Sequence, residues 1–371
     1  MESSGVKWVR LGDYIEQFRQ KCANNKAIVS GVDINKRFIP TRANLDGTDI
    51  SGYYLVPPTF FACNLMHIGR DERIPIAYND TDKDLVVTSA YYVFHIKQDK
   101  CDEILNEYLY IIFSNKEIDR LTWFYTDSSI RGNLKENRFL DIKIPLPSVA
   151  EQQKVVNAWR AFREIREQNE AKAAPLMQLC QSYIQELKHK YPMREIGAYI
   201  EECNLRNDEA KYNALQLKGV TSDGVFDVTK AKVQDLDFSN YKVVKKNDFA
   251  YNPSRINIGS IALSTADVCI ISPMYIVFHV SEDIIIPEYL ALWFRRTEFQ
   301  RSTLFFASGS VRDTFGYKEM CNVKIPLPPI EVQQAIVNIY KCANEAKQIA
   351  EEADWLSREV CPALLQHVIH S

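Results

Sequence analysis

The feature that most constrains this chain is a motif that occurs twice. The string IPLPSVAEQQKVV begins at Ile144, and IPLPPIEVQQAIV begins at Ile325, about half the chain later. Two prolines around a leucine, followed by an acidic residue and a Gln-Gln pair, form a pattern that composition alone does not produce. A repeat at this distance indicates two copies of one folding unit, each long enough to form its own core.

Further matched segments occur in the same order in both halves of the chain. LGDYIE at 11–16 matches IGAYIE at 196–201, and YYVFHI at 91–96 matches YIVFHV at 275–280. SSIR, which begins at Ser128, matches GSVR, which begins at Gly309. The offset between matched segments changes slightly along the chain, as expected when loops differ in length between two copies of one fold. The duplication therefore extends well beyond the opening motif.

Each copy is predicted to have a mixed body followed by a helical tail. Alternating, β-rich runs such as DLVVTSAYYVFHI and CIISPMYIVFHV predict strands. Amphipathic runs such as NEYLYIIFSNKEIDRL and PEYLALWFRRTEFQRS predict helices. We therefore expect an α+β (mixed α/β) fold. The predicted boundaries are a body over 1–150, a helix over 151–190, a second body over 191–330 and a second helix over 331–371.

The tails show apolar residues at sevenfold spacing, which predicts a coiled-coil-like helix pair. In the first tail the spacing runs through Val155, Phe162, Leu176 and Tyr183, and in the second through Ile336, Ala343, Ala350 and Leu364. Packing of the two tails against each other is favoured because each occurs once in the chain. Pro175 and Pro362 lie inside the tails and are predicted to kink or break them.

Bulk properties exclude several classes of protein. No charged leader with an apolar run begins the chain, and no stretch approaches the roughly 18 apolar residues of a membrane span. Nine scattered cysteines without a CxxC pair indicate reduced thiols, so we expect a cytoplasmic protein without membrane contact. The net charge of −3 neither requires nor excludes DNA, because binding depends on a local basic surface.

The sequence offers recognition chemistry rather than catalytic motifs. No P-loop, GxGxxG, HExxH or GxSxG pattern is present. Loop-rich stretches instead mix Arg and Asn, which can read base edges, with Lys and Ser, which can hold phosphates. The candidate DNA contacts are Arg70, Arg73, Ser129, Arg131, Lys135, Arg138, Ser254, Arg255, Asn257, Ser310, Arg312 and Lys318.

In this combination of motifs the chain resembles the specificity (S) subunit of type I restriction–modification systems. The residues that carry the resemblance are the two IPLP…QQ motifs, the run NDFAYNPSRINIGSIAL, and ASGSVRDTF before the second IPLP. The resemblance covers the chain end to end. The first body departs from the pattern, because it has the sequence PPTFFACNLMHIGRDERIP where the second body has NDFAYNPSR.

The resemblance implies two target-recognition domains that each read half of a bipartite sequence in double-stranded DNA. It implies an antiparallel coiled coil that sets their spacing, and assembly with two modification (methyltransferase) subunits and with restriction subunits. AdoMet, ATP and Mg²⁺ would then be bound by those partners, and this chain would need no cofactor, no metal and no catalytic residues. A solitary DNA methyltransferase or nuclease, and a coiled-coil scaffold, remain the alternatives.

Overall fold

A computed structural model describes residues 6–22, 29–41, 44–45, 48–66, 68–127, 132–229, 236–307 and 314–370. The chain forms two compact units. Unit 1 contains residues 1–169 and 348–371, and unit 2 contains residues 170–347. Each unit therefore combines one body with segments of both long helices.

The body of unit 1 is built on a four-stranded antiparallel sheet in the order β2-β9-β6-β7, with the two-stranded pairs β1-β10, β3-β4 and β5-β8. Its strands are β1 (Lys7–Arg10), β2 (Ile15–Gln17), β3 (Ser30–Val32), β4 (Phe38–Pro40), β5 (Tyr54–Val56), β6 (Phe61–Cys63), β7 (Ile76–Tyr78), β8 (Leu85–Val87), β9 (Tyr92–Ile96) and β10 (Lys143–Leu146). Its helices are α1 (Leu11–Tyr14), α2 (Ile68–Asp71), α3 (Asn106–Phe113), α4 (Lys116–Phe124) and α5 (Glu136–Leu140), and α6 (Val149–Lys190) follows.

The body of unit 2 repeats this topology, with a sheet in the order β12-β19-β16-β17 and the pairs β11-β20, β13-β14 and β15-β18. Its strands are β11 (Met193–Glu195), β12 (Ile200–Glu202), β13 (Lys218–Val220), β14 (Phe226–Val228), β15 (Lys242–Lys245), β16 (Phe249–Tyr251), β17 (Ile261–Leu263), β18 (Val268–Ile271), β19 (Ile276–Val280) and β20 (Lys324–Pro326). Its helices are α7 (Pro287–Phe294), α8 (Thr297–Phe306) and α9 (Tyr317–Cys321), and α10 (Ile330–His370) follows. The predicted duplication and the mixed fold class are confirmed.

Aromatic packing on the four-stranded sheet is also duplicated. Phe61 stacks on Phe94 with ring centroids 5.0 Å apart, and Phe249 stacks on Phe278 at 5.1 Å. These residues face each other across paired positions of neighbouring strands and are fully buried. Cross-strand aromatic pairs of this kind hold the register of a half-buried sheet, because a one-residue slip would expose them.

The two long helices pack together in each unit. In unit 1, Val156 and Trp159 near the start of α6 share a core with Cys361 and Leu365 near the end of α10. In unit 2, late α6 residues such as Ile184 share a core with residues early in α10. Early turns of one helix meet late turns of the other, so the helices run antiparallel, as expected.

Details of the tails differ from the predicted columns. The small residues Ala343 and Ala350 are buried as predicted, but Tyr183 of the first tail and Leu364 of the second are exposed. Both helices continue through their prolines, so the prediction of a break is wrong. A proline removes one backbone hydrogen bond of its helix, and beside Pro362 the residue Cys361 is buried in the core of unit 1.

The repeated IPLP…QQ motif forms the junction between a body and its helix. Gln152 is fully buried; its Oε1 accepts from the Leu105 N–H at 3.0 Å, and its Nε2 donates to the carbonyls of Glu103 and Pro147 at 2.9 and 3.0 Å. A tyrosine hydroxyl adds a bond to the same junction, from Tyr108 to the Pro145 carbonyl at 3.1 Å.

Unit 2 has the same junction, atom for atom. Gln333 accepts from the Ile286 N–H at 2.9 Å and donates to the carbonyls of Ile284 and Pro328 at 2.8 and 3.0 Å. Tyr289 donates to a proline carbonyl of β20 at 2.9 Å. At each junction the buried glutamine amide uses its oxygen as an acceptor and both of its N–H groups as donors, so it connects three backbone groups. This shared role explains why the motif occurs in both halves of the chain.

Candidate nucleic-acid interface

In each body an asparagine turns the chain out of the sheet into the loop that carries candidate contacts. Asn64 follows β6, and its Oδ1 accepts from the Met66 N–H at 2.9 Å. Asn252 follows β16, and its Oδ1 accepts from the Ser254 N–H at 3.0 Å. An Asx turn of this kind fixes the direction of the chain at the end of a strand. The two bodies therefore start their loops in the same way although the loop sequences differ.

Backbone bonds join each loop to a second candidate segment. The Leu134 N–H donates to the Leu65 carbonyl at 2.8 Å, and the Phe315 N–H donates to the Pro253 carbonyl at 3.0 Å. Leu134 leads into α5, and Phe315 leads into α9. The structure thus brings together two regions of each body that are distant in sequence.

The loop of unit 2 ends in a single turn of 3-10 helix over Ile256–Ile258, with Arg255 at its N-cap position. Gly259 ends this turn with φ +94°, and a Cβ there would lie 2.2 Å from the Ser222 carbonyl oxygen. Only glycine is compatible with both constraints. The carbonyl of Arg255 accepts from the backbone N–H groups of Ile258 and Ser260, so its backbone is held while its side chain is exposed.

The loop of unit 1 follows a different course through α2. The Gly69 N–H donates to the Gly132 carbonyl at 3.2 Å, and a Cβ on Gly132 would lie 2.4 Å from the Cα of Gly69. Arg70, beside this contact, is exposed and makes two bonds to Asp71, at 2.8 and 2.9 Å. The hydrogen bond to Asp71 raises the pKa of Arg70, so this guanidinium stays charged.

The other described candidates lie around these loops. Lys135 caps α5, Arg138 lies in α5 with its guanidinium 5.7 Å from the centre of the Tyr125 ring, and Lys318 lies in α9; all three are exposed. In unit 2, Ser254 is exposed and Asn257 is half-buried.

Arg73 is exposed and lies elsewhere, at a cavity of about 550 Å³ within unit 1 that Lys36 and Asp119 also line. Four candidates lie outside the described residues: Ser129, Arg131, Ser310 and Arg312. The structure therefore groups Arg70 with the α5 region and Ser254 to Asn257 with the α9 region, and it places Arg73 at the cavity that Lys36 lines.

Two sets of residues were not singled out by the sequence analysis. Gln152 and Gln333 lay inside the repeated motif, but the pattern did not show which glutamine of each pair is buried. Exposed aromatic residues, including Phe124 and Phe305, end α4 and α8. Aligning the two helices through the repeat would have revealed the shared aromatic position. Among the described residues, no helix is long and apolar enough to cross a membrane.

Comparison with protein-family models assigns most of this chain to one family. The model described as "Type I restriction modification DNA specificity domain" matches residues 73–173 and 193–349, which together are more than half of the sequence. The chain belongs to this family, and the resemblance inferred from the sequence is confirmed. It is a DNA specificity subunit of the type I restriction–modification class.

Solved structures are similar to this chain over nearly its whole length. The S subunit of a type I restriction–modification system from M. genitalium matches with a TM-score of 0.62 at 12% identity, over 99% of this chain and 97% of that one, and shares its fold. A chain from a study of complex assembly and conformational transition of the type I R-M system matches at 0.47, with 15% identity and coverages of 99% and 98%. The HsdS subunit from Thermoanaerobacter tengcongensis matches at 0.42, with 16% identity and coverages of 99% and 97%. Comparison with curated proteins found no similar sequence.

Proposed function

We propose that each body of this specificity subunit reads one half of a bipartite target in double-stranded DNA. The observation that carries the proposal is the duplicated loop arrangement. In both bodies a loop that begins with an Asx turn leads to an exposed arginine, and a backbone bond joins that loop to a segment with an exposed lysine. Arginine can bond two acceptors on guanine, and lysine can neutralise phosphate, so the two bodies have the same type of DNA-binding surface with different side chains.

The side chains that would read bases differ between the bodies, which supports two different half-sites. Arg70 lies on α2 in unit 1, whereas Arg255 precedes a 3-10 turn that contains Asn257 in unit 2. Arginine and asparagine favour guanine and adenine edges respectively. The antiparallel helices would set the number of base pairs between the half-sites.

Catalysis would come from partners. Two modification subunits would bind AdoMet and methylate the target, and restriction subunits would use ATP and Mg²⁺. This chain would act with them in the cytoplasm, supplying sequence selection without a reaction of its own. The sequence shows recognition chemistry in its loops in place of catalytic motifs, which supports this division of labour.

Methylome sequencing tests the proposal. Cells that carry the chain with its modification subunits should show a bipartite methylated motif that cells without the chain lack. If the assembled complex leaves the methylome unchanged, the recognition function is refuted and a scaffold role is favoured. AdoMet binding by the purified chain alone would favour a solitary methyltransferase.

A further inference from the structure

Both bodies expose large apolar side chains at the end of equivalent helices. Phe124 at the end of α4 is 77% exposed, and Phe305 near the end of α8 is 82% exposed. Trp123 and Phe306, their neighbours, are also exposed. The two phenylalanines are separated by the same offset as the two IPLP motifs. Large aromatic side chains at such exposure are uncommon in a protein with well-formed cores, and their recurrence at one repeat position indicates a shared contact.

The helices themselves direct these side chains outward. In α4 the buried positions are Ile118, Asp119 and Thr122, and the Thr122 hydroxyl donates to the Ile118 carbonyl, one helical turn earlier, at 2.8 Å. In α8 the equivalent buried positions are Phe299 and Thr303. A residue two positions after a buried one lies about 200° around the helix, so Phe124 and Phe305 fall on the opposite face.

The exposed ends lie beside the candidate nucleic-acid interface of their own body. In unit 1, α4 packs against α2, which carries Arg70. Tyr125 follows Phe124, with ring centroids 5.6 Å apart, and the guanidinium of Arg138 lies over the Tyr125 ring. In unit 2, α8 packs against the 3-10 turn that follows Arg255. The aromatic end of α4 therefore lies beside the Arg138 cation, and α8, the helix that carries Phe305, packs beside the loop of Arg255.

We propose that Phe124 and Phe305 stack on DNA bases, each in the half-site read by its own body. Apolar side chains beside phosphate-binding cations can enter a base step and unstack it, whereas an apolar contact for a protein partner has few charges at its centre. Stacking would couple reading of a half-site to local opening of the duplex. This inference rests on the proposed DNA-recognition function and adds the class of contact made.

The test uses the full chain assembled with its modification subunits and duplexes that carry its methylated motif. Each duplex has 2-aminopurine at one position, and its fluorescence rises where the base is unstacked. We expect a rise at one step in each half-site other than the methylated base, because a methyltransferase itself flips the base that it modifies. Phe305→Ala should abolish the rise in one half and weaken binding roughly tenfold, the scale of one base–aromatic stack, while Phe124→Ala should affect the other half. Phe305→Trp should retain the signal.

Ile284→Ala is the matched control in unit 2. Ile284 is 45% exposed and lies after the last residue of β19. The Arg255 loop follows Tyr251, which pairs with Ile276 at the first residue of β19. Ile284 therefore lies at the other end of this strand, away from the Arg255 loop. Its replacement should leave both signals unchanged.

Sequence-specific binding by the unaltered complex without any fluorescence rise would overturn the stacking proposal and leave DNA recognition intact. Loss of the modification subunits from Phe305→Ala, with the signal retained, would assign the surface to a protein partner. Absence of a chain-dependent motif in the methylome would refute the recognition function itself. Absence of a rise outside the methylated base in the unaltered complex overturns the proposal even if a variant fails to fold.

Discussion

Replacing Gln333 with leucine tests whether the repeated motif is a hydrogen-bonded junction. The change keeps the approximate size of the side chain and removes all three of its bonds to backbone groups of the body and of the chain that enters α10. The Ile284 carbonyl belongs to a partly exposed residue and can bind water, whereas Pro328 is buried and Ile286 is half-buried. Each stranded buried group costs about 1–3 kcal/mol, so we expect a loss of about 3 kcal/mol in the free energy of unfolding.

The assay is urea unfolding of the full chain followed by circular dichroism, with hydrogen exchange to locate the effect. The first turn of α7, which begins at Pro287, should lose protection before the rest of unit 2. The control is Gln334→Leu, because Gln334 is exposed and its side chain bonds to Asn338 one turn along the same helix. Its cost should stay within about 0.5 kcal/mol.

The same argument applies to unit 1, where Gln152→Leu should cost a similar amount and affect the first turn of α3. If Gln333→Leu and Gln334→Leu destabilise the chain equally, or if Gln333→Leu lies within about 0.5 kcal/mol of the unaltered protein, the junction argument is refuted.

Three further predictions concern recognition, spacing and stability. Arg255→Ala should relax the methylated motif in one half-site only, by about 1–3 kcal/mol of discrimination, while Arg194→Ala on exposed β11 should not; an unchanged motif would exclude base reading by Arg255. Inserting four residues after Lys172 lengthens α6 by about 6 Å and should change the spacer between half-sites in the methylome, which a fixed spacer would contradict. Lys36→Met should destabilise unit 1 by roughly 3–5 kcal/mol, measured by urea unfolding, because buried Asp119 loses the ammonium that lies 2.6 Å from it. The double variant Lys36→Met, Asp119→Leu should recover part of the loss.

The Lys36→Met prediction concerns a lysine that is buried in the folded protein. Desolvation lowers the pKa of Lys36, while Asp119 acts in the opposite direction through charge and a hydrogen bond. The ammonium also donates to the Phe113 carbonyl at 2.7 Å. A lysine whose pKa is lower folded than unfolded binds fewer protons when folded, so its contribution to stability rises with pH between those two pKa values. No sequence pattern indicated this buried pair.

The candidate site was only partly predictable. Arg70, Arg255 and Lys318 were chosen for their residue types in loop-rich stretches, and the structure shows each of them exposed. Their neighbours came from tertiary contacts, since the bond between Phe315 and Pro253 joins residues that are distant in sequence. Arg73 was chosen on the same grounds as Arg70, yet it lines a cavity with Lys36, which is distant in sequence.

The sequence by itself determined the duplication, the order of body and helix, and the apolar spacing of the two tails. Those properties follow from repeated strings and apolar spacing, which act over a few residues or recur at a fixed offset. Only the tertiary structure decided which glutamine of each pair is buried, which apolar column forms the helix seam, and which aromatic residues face outward. Burial depends on groups that are distant in sequence. The Gln152 side chain, for example, accepts a hydrogen bond from the Leu105 N–H, and no local sequence pattern predicts that contact.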